Sequence, residues 1–318
     1  MTTNGDSPGP PTRIGLLLGS RDSAGALVAD DGTVLARVSV PSADAPDDGI
    51  GGLVGMAARL RRKAEALGRP ATAVGVGFPG VVDPVDGSIR GTRLALRAWR
   101  GVPLAATLQQ QLGLAVTVRN DAVGILVGES VAGAAAGEQD VVLAYSSAGV
   151  GGAIMLGGRL LLGRKGAAGH LGHVPSAAAA GLRCSCGGEG HLDSIASAAG
   201  MTRWYRDQRN LDPADAPYLR VVAQAAEGGD PVAGAALQLG GTALGMALGG
   251  VANLLEPDVV VLAGESPMHE TYRAATAAAL RSEVIPGNAV PEIRLSALGA
   301  DAQVVGAALA AQPDATTG

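Results

Sequence analysis

Hydrophobic residues in this chain fall into short runs separated by glycine, proline and polar residues, a pattern typical of alternating strands and helices. The run Arg13–Gly19 predicts a buried strand, and Ser20–Gly25 predicts the turn after it. Two further strands are expected on either side of Asp31-Gly32, a dipeptide that favours a tight hairpin. An amphipathic helix near Gly52–Leu67 and a strand with the sequence AVGVGFPG complete this opening unit.

The rest of the chain continues to alternate between strand and helix patterns, which favours an α/β fold. A proline at the start and a glycine at the end mark one short helix. The later elements are predicted at Pro103–Gly113 (helix), Leu114–Arg119 (strand), Val141–Gly163 (hairpin), a helical region up to Gly229, Asp258–Leu262 (strand) and Gly299–Ala311 (helix).

One apolar segment fits either a membrane span or a buried helix. Ala235–Leu255 carries no charged residue, and glycines recur in it at four-residue spacing. It follows Asp230-Pro231, a typical helix start, and ends before Glu256-Pro257. Because nothing else in the sequence is directed to a membrane, we favour a helix buried between a sheet and another helix.

Composition narrows the class of protein. The chain has 318 residues, of which 47% are hydrophobic and 17% charged, so it is long enough to form two globular lobes. Its net charge of -5 disfavours a surface for nucleic acid backbones, and 2% aromatic residues leave few groups for stacking on bases. Residues 1–12 contain no apolar core, which predicts a disordered leader rather than a signal peptide.

The residues with the most distinctive chemistry lie in one glycine-rich segment, Gly166–Asp193. It contains both cysteines of the chain and three of its four histidines. His173, Cys184, Cys186 and His191 supply the ligand number and the ligand types of a closed structural zinc site. The alternative is a pair of buried free cysteines, since a disulfide within Cys-x-Cys would be strained. Two cysteines with metal-like spacing suit a reducing cytoplasm.

This segment resembles the zinc-and-sugar segment of the ROK family (repressors, open reading frames and kinases), G-A-A-G-E-x-G-H followed by C-x-C-G-x-x-G-C-x-E. The matching positions are Gly166, Ala167, Ala168, Gly169, Gly172, His173, Cys184, Cys186, Gly187 and Gly190. Three positions differ: His170 stands for a sugar-binding Glu, His191 for the third Cys and Asp193 for the final Glu. The resemblance extends from about Arg13 to Ala311.

The resemblance implies an α/β protein with the two-lobed actin-like ATPase fold, which is related to ribonuclease H. The expected N-terminal lobe comprises residues 13–119 together with about 300–312. The expected C-terminal lobe comprises residues 120–299 and includes the zinc-binding segment, residues 166–193.

The resemblance also assigns a catalytic residue. In this family an Asn-Asp pair holds the sugar, and the Asp accepts the proton of the hydroxyl that attacks the phosphate of ATP. The pair here is Asn120-Asp121, at the end of a predicted strand. Asp121 is therefore the expected base, with Asn120, His170, His173 and Asp193 expected to contact the sugar.

The nucleotide motifs of the family are altered in this chain. The resemblance places nucleotide-binding positions at Gly19, Ser20, Arg21, Gly149, Gly151 and Gly264. In the first loop, Leu17 replaces the Asp that serves the magnesium shell, and Arg21 replaces a Thr. Ala148 replaces a phosphate-facing Thr in the second loop, and Glu265 follows Gly264 where the family has a glycine run. We therefore expect structural zinc, and weak or absent binding of magnesium-ATP.

Three functions remain open from the sequence. The first is an ATP-dependent kinase for a sugar, amino sugar or cyclitol. The second is a non-catalytic sugar-binding or regulatory protein, and the third is an enzyme repurposed for other chemistry on a modified sugar. The expected partner is a sugar-like small molecule, without direct nucleic acid or membrane contact, and the expected assembly is a cytoplasmic homodimer or homotetramer.

The specificity expected for that ligand departs from glucose. The family's sugar-contacting Asn is Ala95 here, and its Glu is His170. Because buried hydroxyls would lose partners at both positions, we expect glucose to bind poorly. A modified sugar, a cyclitol or an anionic sugar derivative is expected to bind better.

Overall fold

The computed structural model of the protein describes residues 9–19, 22–42, 45–92, 94–212, 214 and 217–312. The chain forms two compact units. Unit 1 comprises residues 1–137, 162–167 and 300–318, and unit 2 comprises residues 138–161 and 168–299. The lobe boundary expected between residues 119 and 120 stays a prediction, and most of the expected leader lies outside the described residues.

Each unit contains a five-stranded sheet. The strands are β1 (Thr12–Leu17), β2 (Asp22–Ala29), β3 (Val34–Pro41), β4 (Ala71–Phe78), β5 (Gly80–Val82), β6 (Ile89–Thr92), β7 (Ala115–Asn120), β8 (Val141–Ser146), β9 (Val150–Leu156), β10 (Arg159–Leu160), β11 (Val259–Ala263) and β12 (Glu292–Leu295). The helices are α1 (Pro46–Ala66), α2 (Leu104–Leu112), α3 (Asp121–Ala132), α4 (Asp193–Ala196), α5 (Ala198–Arg209), α6 (Leu219–Glu227), α7 (Pro231–Leu255), α8 (Glu270–Glu283) and α9 (Ala302–Ala310).

The sheet of unit 1 has the strand order β3-β2-β1-β4-β7. Strands β1 to β3 form the predicted antiparallel meander, whereas β4 and β7 run parallel to β1. The carboxyl ends of the three parallel strands therefore share one edge, at which Leu17, Phe78 and Asn120 lie. Open α/β sheets bind their ligands at such an edge.

Helix α1 packs on one face of this sheet. Its buried Leu53 and Leu60 join Ile14 and Val74 of the sheet in one hydrophobic core. The helix begins at Pro46, earlier than the start near residue 52 that the sequence predicted. Proline at the first helical position and two aspartates in the first turn favour the earlier start. Glycines within the following turn hide the apolar period there.

Helix α9 covers the other face at backbone contact distance. A Cβ built on Gly75 of β4 would lie 1.7 Å from the carbonyl oxygen of Ala307, and one on Gly15 of β1 would lie 1.8 Å from that of Val304. Only glycine at these positions lets the helix approach the strands so closely. Helix α9 is thereby held on the sheet that contains β1 and β4.

The sheet of unit 2 has the same plan, with the strand order β10-β9-β8-β11-β12. An antiparallel hairpin, β8 and β9, continues into β10, and β11 and β12 run parallel to β8. The hairpin was predicted. Two sheets with the same order of antiparallel and parallel strands form the duplicated core of the actin-like ATPase fold, which confirms the predicted α/β fold class.

Helix α7 is the long apolar segment. Cβ atoms built on its Gly241 and Gly245 would lie 2.2 and 2.3 Å from the carbonyl oxygens of Tyr272 and Thr276, so α7 and α8 also pack backbone to backbone. Within the described part of the chain, α7 alone has the length and hydropathy of a membrane span. Because 56% of its most apolar window is buried, the packing supports the buried-helix interpretation.

Some boundaries and elements differ from the sequence prediction. Strand β2 begins at Asp22, inside the predicted turn Ser20–Gly25, because its first residues pair with the end of β3. Helix α8 and strand β12 were not predicted. Alanines occupy both faces of α8, so its apolar period is weak, and β12 is a four-residue edge strand without strict alternation.

We predict that Gly75→Ala lowers the free energy of unfolding by about 1–3 kcal/mol or more, because the added methyl group meets the backbone of α9 rather than a movable side chain. The matched control is Gly51→Ala in α1, where a Cβ would have no neighbour within 4 Å. That change should stabilise the protein by about 0.5–1 kcal/mol through helix propensity. Urea unfolding measures both values, and equal effects of the two substitutions would contradict the packing described for α9.

Candidate functional site

Asn120 and Asp121 lie where β7 ends and α3 begins. The Asn120 side chain is the N-cap of α3, and its Oδ1 accepts hydrogen bonds from the backbone N–H groups of Ala122 and Val123 at 3.0 and 3.4 Å. Its Nδ2 donates to the carbonyl oxygen of Gly80 at 3.0 Å. One side chain therefore contacts both the start of α3 and Gly80, the first residue of β5.

The Asp121 carboxylate contacts both the start of α3 and helix α9. Its Oδ1 accepts a hydrogen bond from the N–H of Ala122 at 3.0 Å, and its Oδ2 lies 3.5 Å from Nε2 of Gln303 in α9. Because Asp121 is the first residue of α3, the positive end of the helix dipole favours its charged form. The residue is half-buried.

Leu17 lies beside this carboxylate residue. A Cβ built on Gly77 would lie 3.3 Å from Cδ1 of Leu17 and 3.8 Å from Cα of Asp121. Both residues thus lie on the same side of β4 at the carboxyl edge of the sheet. A hydrocarbon side chain stands where the family motif has a carboxylate, and Ser20 and Arg21 of the same loop lie outside the described residues.

Four arginines follow β5 in the sequence, at positions 90, 93, 97 and 100, and the first of them is paired within unit 1. Asp83 is buried, its Oδ1 accepts from the N–H of Val85, and its Oδ2 accepts from the guanidinium of Arg90. These hydrogen bonds, with that from Val85 first, lower the pKa of Asp83. Arg97 and Arg100 are exposed, and Arg93 lies outside the described residues. Arg90 therefore supports the β5–β6 loop.

In unit 2, the structure brings the four predicted metal ligands together. The ligand atoms of His173, Cys184, Cys186 and His191 all lie within 4.8 Å of one another. Sγ of Cys184 is 3.7 Å from Nδ1 of His173, and Sγ of Cys186 is 3.3 Å from Nδ1 of His191. Ligand atoms of a tetrahedral zinc ion with bonds of about 2.0–2.3 Å are about 3.3–3.8 Å apart, the range of these two separations. The number and types of the donors fit zinc, although the set as a whole extends over 4.8 Å.

The local backbone shapes this cluster. A tight turn brings the N–H of Gly187 to the carbonyl oxygen of Cys184, and the N–H of Gly188 donates to Sγ of Cys186 at 3.4 Å. Gly187 has a φ of 95°, a conformation that requires glycine. Desolvation lowers the pKa of His173, which favours the neutral imidazole that a metal requires. Burial raises the pKa of the Cys184 thiol, so this thiol needs a cation beside it to become a thiolate.

His170 and Asp193 lie next to this cluster, in different surroundings. The His170 ring stacks on that of His173 with centroids 6.2 Å apart. The Asp193 carboxylate is buried, and its Oδ1 accepts from the N–H of Val150 at 2.7 Å. Its Oδ2 lies 3.2 Å from Oγ of Ser185 and 3.8 Å from Sγ of Cys184. Both oxygens of this carboxylate therefore have partners within unit 2.

The positions expected to bind nucleotide are divided between the units. Gly19 of unit 1 lies two residues after the end of β1, and a Cβ there would lie 1.9 Å from the carbonyl oxygen of Asp22. In unit 2, Gly149 and Gly151 form the turn from β8 to β9 and the start of β9. Gly264, with a φ of 98°, follows β11 against the carbonyl oxygen of Ser146. Gly149 and Gly264 thus lie in bends, as the family motif implies, whereas Ala148 has no hydroxyl to offer a phosphate group.

Two residues at the site escaped the sequence analysis. In unit 1, Gln303 reaches Asp121 from a position 182 residues later in the chain, and in unit 2 the N–H of Val150 donates to the Asp193 carboxylate. Neither contact has a local signal, because each joins residues that only the tertiary fold brings together.

Comparison with known proteins agrees with this architecture. The ROK family model matches residues 13–313. A glucokinase of Thermotoga maritima is 31% identical over 79% of this chain and 81% of its own length. The ROK hexokinase of Thermus thermophilus superposes with a TM-score of 0.81 at 30% identity, covering 94% of this chain and 97% of its own. A ROK family glucokinase of Streptomyces griseus, in complex with glucose and AMPPNP, gives a TM-score of 0.82 at 27% identity over 93% and 98%. This chain is a sugar-kinase-like member of the ROK family.

Proposed function

We propose that this protein binds a sugar, amino sugar or cyclitol, and that its reaction class is phosphoryl transfer to a hydroxyl of that ligand with Asp121 as the base. The observation that carries the proposal is the Asn120-Asp121 pair at the junction of β7 and α3. Asn120 fixes the helix and the Gly80 loop, so the neighbouring carboxylate has a defined position. The sugar kinases among the relatives support the reaction class.

The chemistry assigned to Asp121 follows from its contacts. Its carboxylate lies at the N-terminus of α3, where the helix dipole favours the charged form, so it can accept the proton of a ligand hydroxyl as that oxygen becomes a nucleophile. His170 and His173, with their rings stacked, are the further ligand contacts that we propose. A histidine in place of the family's Glu exchanges an obligate acceptor for a group that can donate, which favours a modified or anionic ligand over glucose.

Zinc is the metal that we propose for His173, Cys184, Cys186 and His191. Two sulfur and two nitrogen donors, close together and held by a tight turn, form a closed set with no donor left for catalysis. Zinc would crosslink the chain there and stabilise the fold. Cysteines that bind a metal rather than form a disulfide suit a reducing compartment, so we propose that the protein works in the cytoplasm, as a homo-oligomer.

Described residues of both nucleotide loops depart from the family pattern for magnesium-ATP, so we propose that this phosphoryl donor binds weakly. A magnesium ion needs oxygen ligands in a strict octahedral arrangement, and Leu17 offers hydrocarbon at the position of the family's carboxylate. In the second loop the N–H of Val150 is already bonded to Asp193, which adds negative charge where phosphate groups would approach. Glu265 after Gly264 adds a further negative charge.

Leu17 favours a second candidate function, a sugar-binding regulator without kinase activity. The sugar half of the family site keeps Asn120 and Asp121, whereas the nucleotide half loses its magnesium ligand. A protein that binds a sugar without phosphorylating it would retain the sugar-binding residues and tolerate loss of the nucleotide-binding residues. Binding and turnover must therefore be measured separately.

For the metal, we predict about one zinc per chain in protein purified without a tag. Cys184→Ser should abolish zinc binding and lower the melting temperature by several degrees, because a structural metal is coupled to folding. Ser176→Ala, in the same segment but outside the donor set, is the matched control and should change neither value. Metal analysis and thermal unfolding test this. A metal-free protein whose stability does not respond to chelation contradicts the zinc proposal.

For the ligand, we predict that a cyclitol, an amino sugar or an acidic sugar raises the melting temperature more than glucose does. Asp121→Asn should keep most of this stabilisation, since its shape is unchanged, and should lower any phosphorylation of the ligand by about 10²–10⁴-fold. A thermal-shift panel of neutral and acidic sugars and a phosphorylation assay provide the two readouts. Equal stabilisation by glucose and by every other sugar contradicts the specificity argument based on Ala95 and His170.

For the nucleotide, we predict weak or undetectable binding of magnesium-ATP to the unaltered protein by calorimetry. Leu17→Asp combined with Arg21→Thr should improve binding at least about tenfold, because it restores a magnesium ligand and a phosphate-facing hydroxyl. Leu17→Asn combined with Arg21→Thr is the control that lacks the charge. Tight binding by the unaltered protein would reject the regulator and select the kinase.

A further inference from the structure

Val150 of the β8–β9 hairpin is contacted by two separate parts of residues 170–193, the portion of the zinc-binding segment that is called the metal-binding segment below. It follows the second glycine loop, residues 147–149, and is the first residue of β9. A Cβ built on Gly172, next to His173, would lie 2.1 Å from the carbonyl oxygen of Val150. The N–H of Val150 donates to Asp193 at 2.7 Å in a buried hydrogen bond. One residue of the hairpin is thus held from two sides.

The Asp193 carboxylate joins this loop to the turn that carries the cysteines. While Oδ1 holds Val150, Oδ2 lies 3.2 Å from Oγ of Ser185 and 3.8 Å from Sγ of Cys184. The residue is 9% exposed. A buried carboxylate whose oxygens already accept from these groups has little left to offer a ligand in solution.

The short helix α4 extends the same connection to the other end of the loop. Its first residue, Asp193, bonds Val150 after the loop, and beyond its last residue the N–H of Ala198 donates to the carbonyl oxygen of Ser147 at 2.8 Å. Oγ of Ser197 donates back to the carbonyl oxygen of Asp193 at 2.6 Å, which fixes the helix between these contacts. The loop is therefore fastened at both ends to one turn of helix.

We infer that Asp193 is a positioning residue that fastens the second glycine loop to the metal-binding segment, so that metal binding at His173, Cys184, Cys186 and His191 orders this loop. The part concerning the loop rests on the hydrogen bonds described above and does not depend on zinc. The part concerning the metal also rests on the proposed zinc site. Asp193 can join the two segments because it is the first residue of α4 and its carboxylate also reaches the N–H of Val150.

Amide hydrogen exchange at Val150, resolved by NMR, tests the loop contact. Asp193→Ala should raise the exchange rate of this amide at least about tenfold, the change expected for one lost buried hydrogen bond. Asp193→Asn keeps an oxygen for the same N–H and should stay within about threefold of the unaltered protein.

The matched control is Asp140→Ala at the other end of the hairpin. Oδ1 of Asp140 accepts from the N–H of Gly157, also at 2.7 Å. This substitution should raise exchange at Gly157 and leave Val150 unchanged. If Asp193→Ala has no larger effect at Val150 than Asp140→Ala has, Asp193 does not hold the loop.

Zinc removal supplies the readout that a merely structural contact would not move. Chelation should raise exchange at Val150 in the unaltered protein and in Asp140→Ala, and should add little in Asp193→Ala, where the connection is already lost. An equal effect of chelation with and without Asp193 overturns the coupling. If Asp193→Ala does not fold, Ser185→Ala, which leaves the Val150 bond intact, should reduce the chelation effect at least about twofold, and an undiminished effect overturns the coupling.

Failure of the proposed zinc site is distinguishable from failure of the loop contact. An unaltered protein that takes up no zinc overturns the zinc site and the metal part of the inference together. The comparison of Asp193→Ala with Asp140→Ala in zinc-free protein still decides the loop part.

Discussion

The close approach of α9 to the first sheet is the contact on which the candidate base depends. Gly15 and Gly75 leave room for the helix backbone, and Gly306 of α9 meets the carbonyl oxygen of Gly124 in α3, where a Cβ would lie 1.8 Å away. Because α9 thereby touches both the sheet and α3, it fixes the direction in which α3 leaves β7. It also brings Gln303 to the Asp121 carboxylate. A residue near the end of the chain thus helps to orient the proposed catalytic group.

Much of this architecture could be predicted from the sequence, because its signals are local. The Asp31-Gly32 hairpin, the Pro103 helix start and the Gly113 helix end follow from backbone preferences, and each element has the predicted type. The cluster of His173, Cys184, Cys186 and His191 could be predicted as a set because such residue types and spacing are rare outside metal sites. The order of weak motifs along the chain then predicted the family and the fold.

The contacts between distant segments could not be predicted. The glycines of β1 and β4 read as ordinary strand residues, and only the fold shows that a helix backbone lies on them. Asp193 matched a sugar-binding position of the family, yet its oxygens lie against Val150, Ser185 and Cys184. Its hydrogen bond to Val150 spans 43 residues of sequence, a separation at which no local pattern informs. Sequence motifs give the residue types at a site but not which of them the fold already uses.

This distinction decides which retained residues argue for a reaction. Asn120 caps α3 and holds Gly80, and the cysteines shape a tight turn, so the fold has reasons to keep them without any ligand. Asp121 differs, because its Oδ1 bond to the N–H of Ala122 duplicates the one that Asn120 makes. The helix cap therefore does not require a carboxylate at this position, whereas the proposed removal of a hydroxyl proton does. Substitutions at Asp121 can thus separate ligand binding from proton transfer, which substitutions at Asn120 cannot do without disturbing the cap.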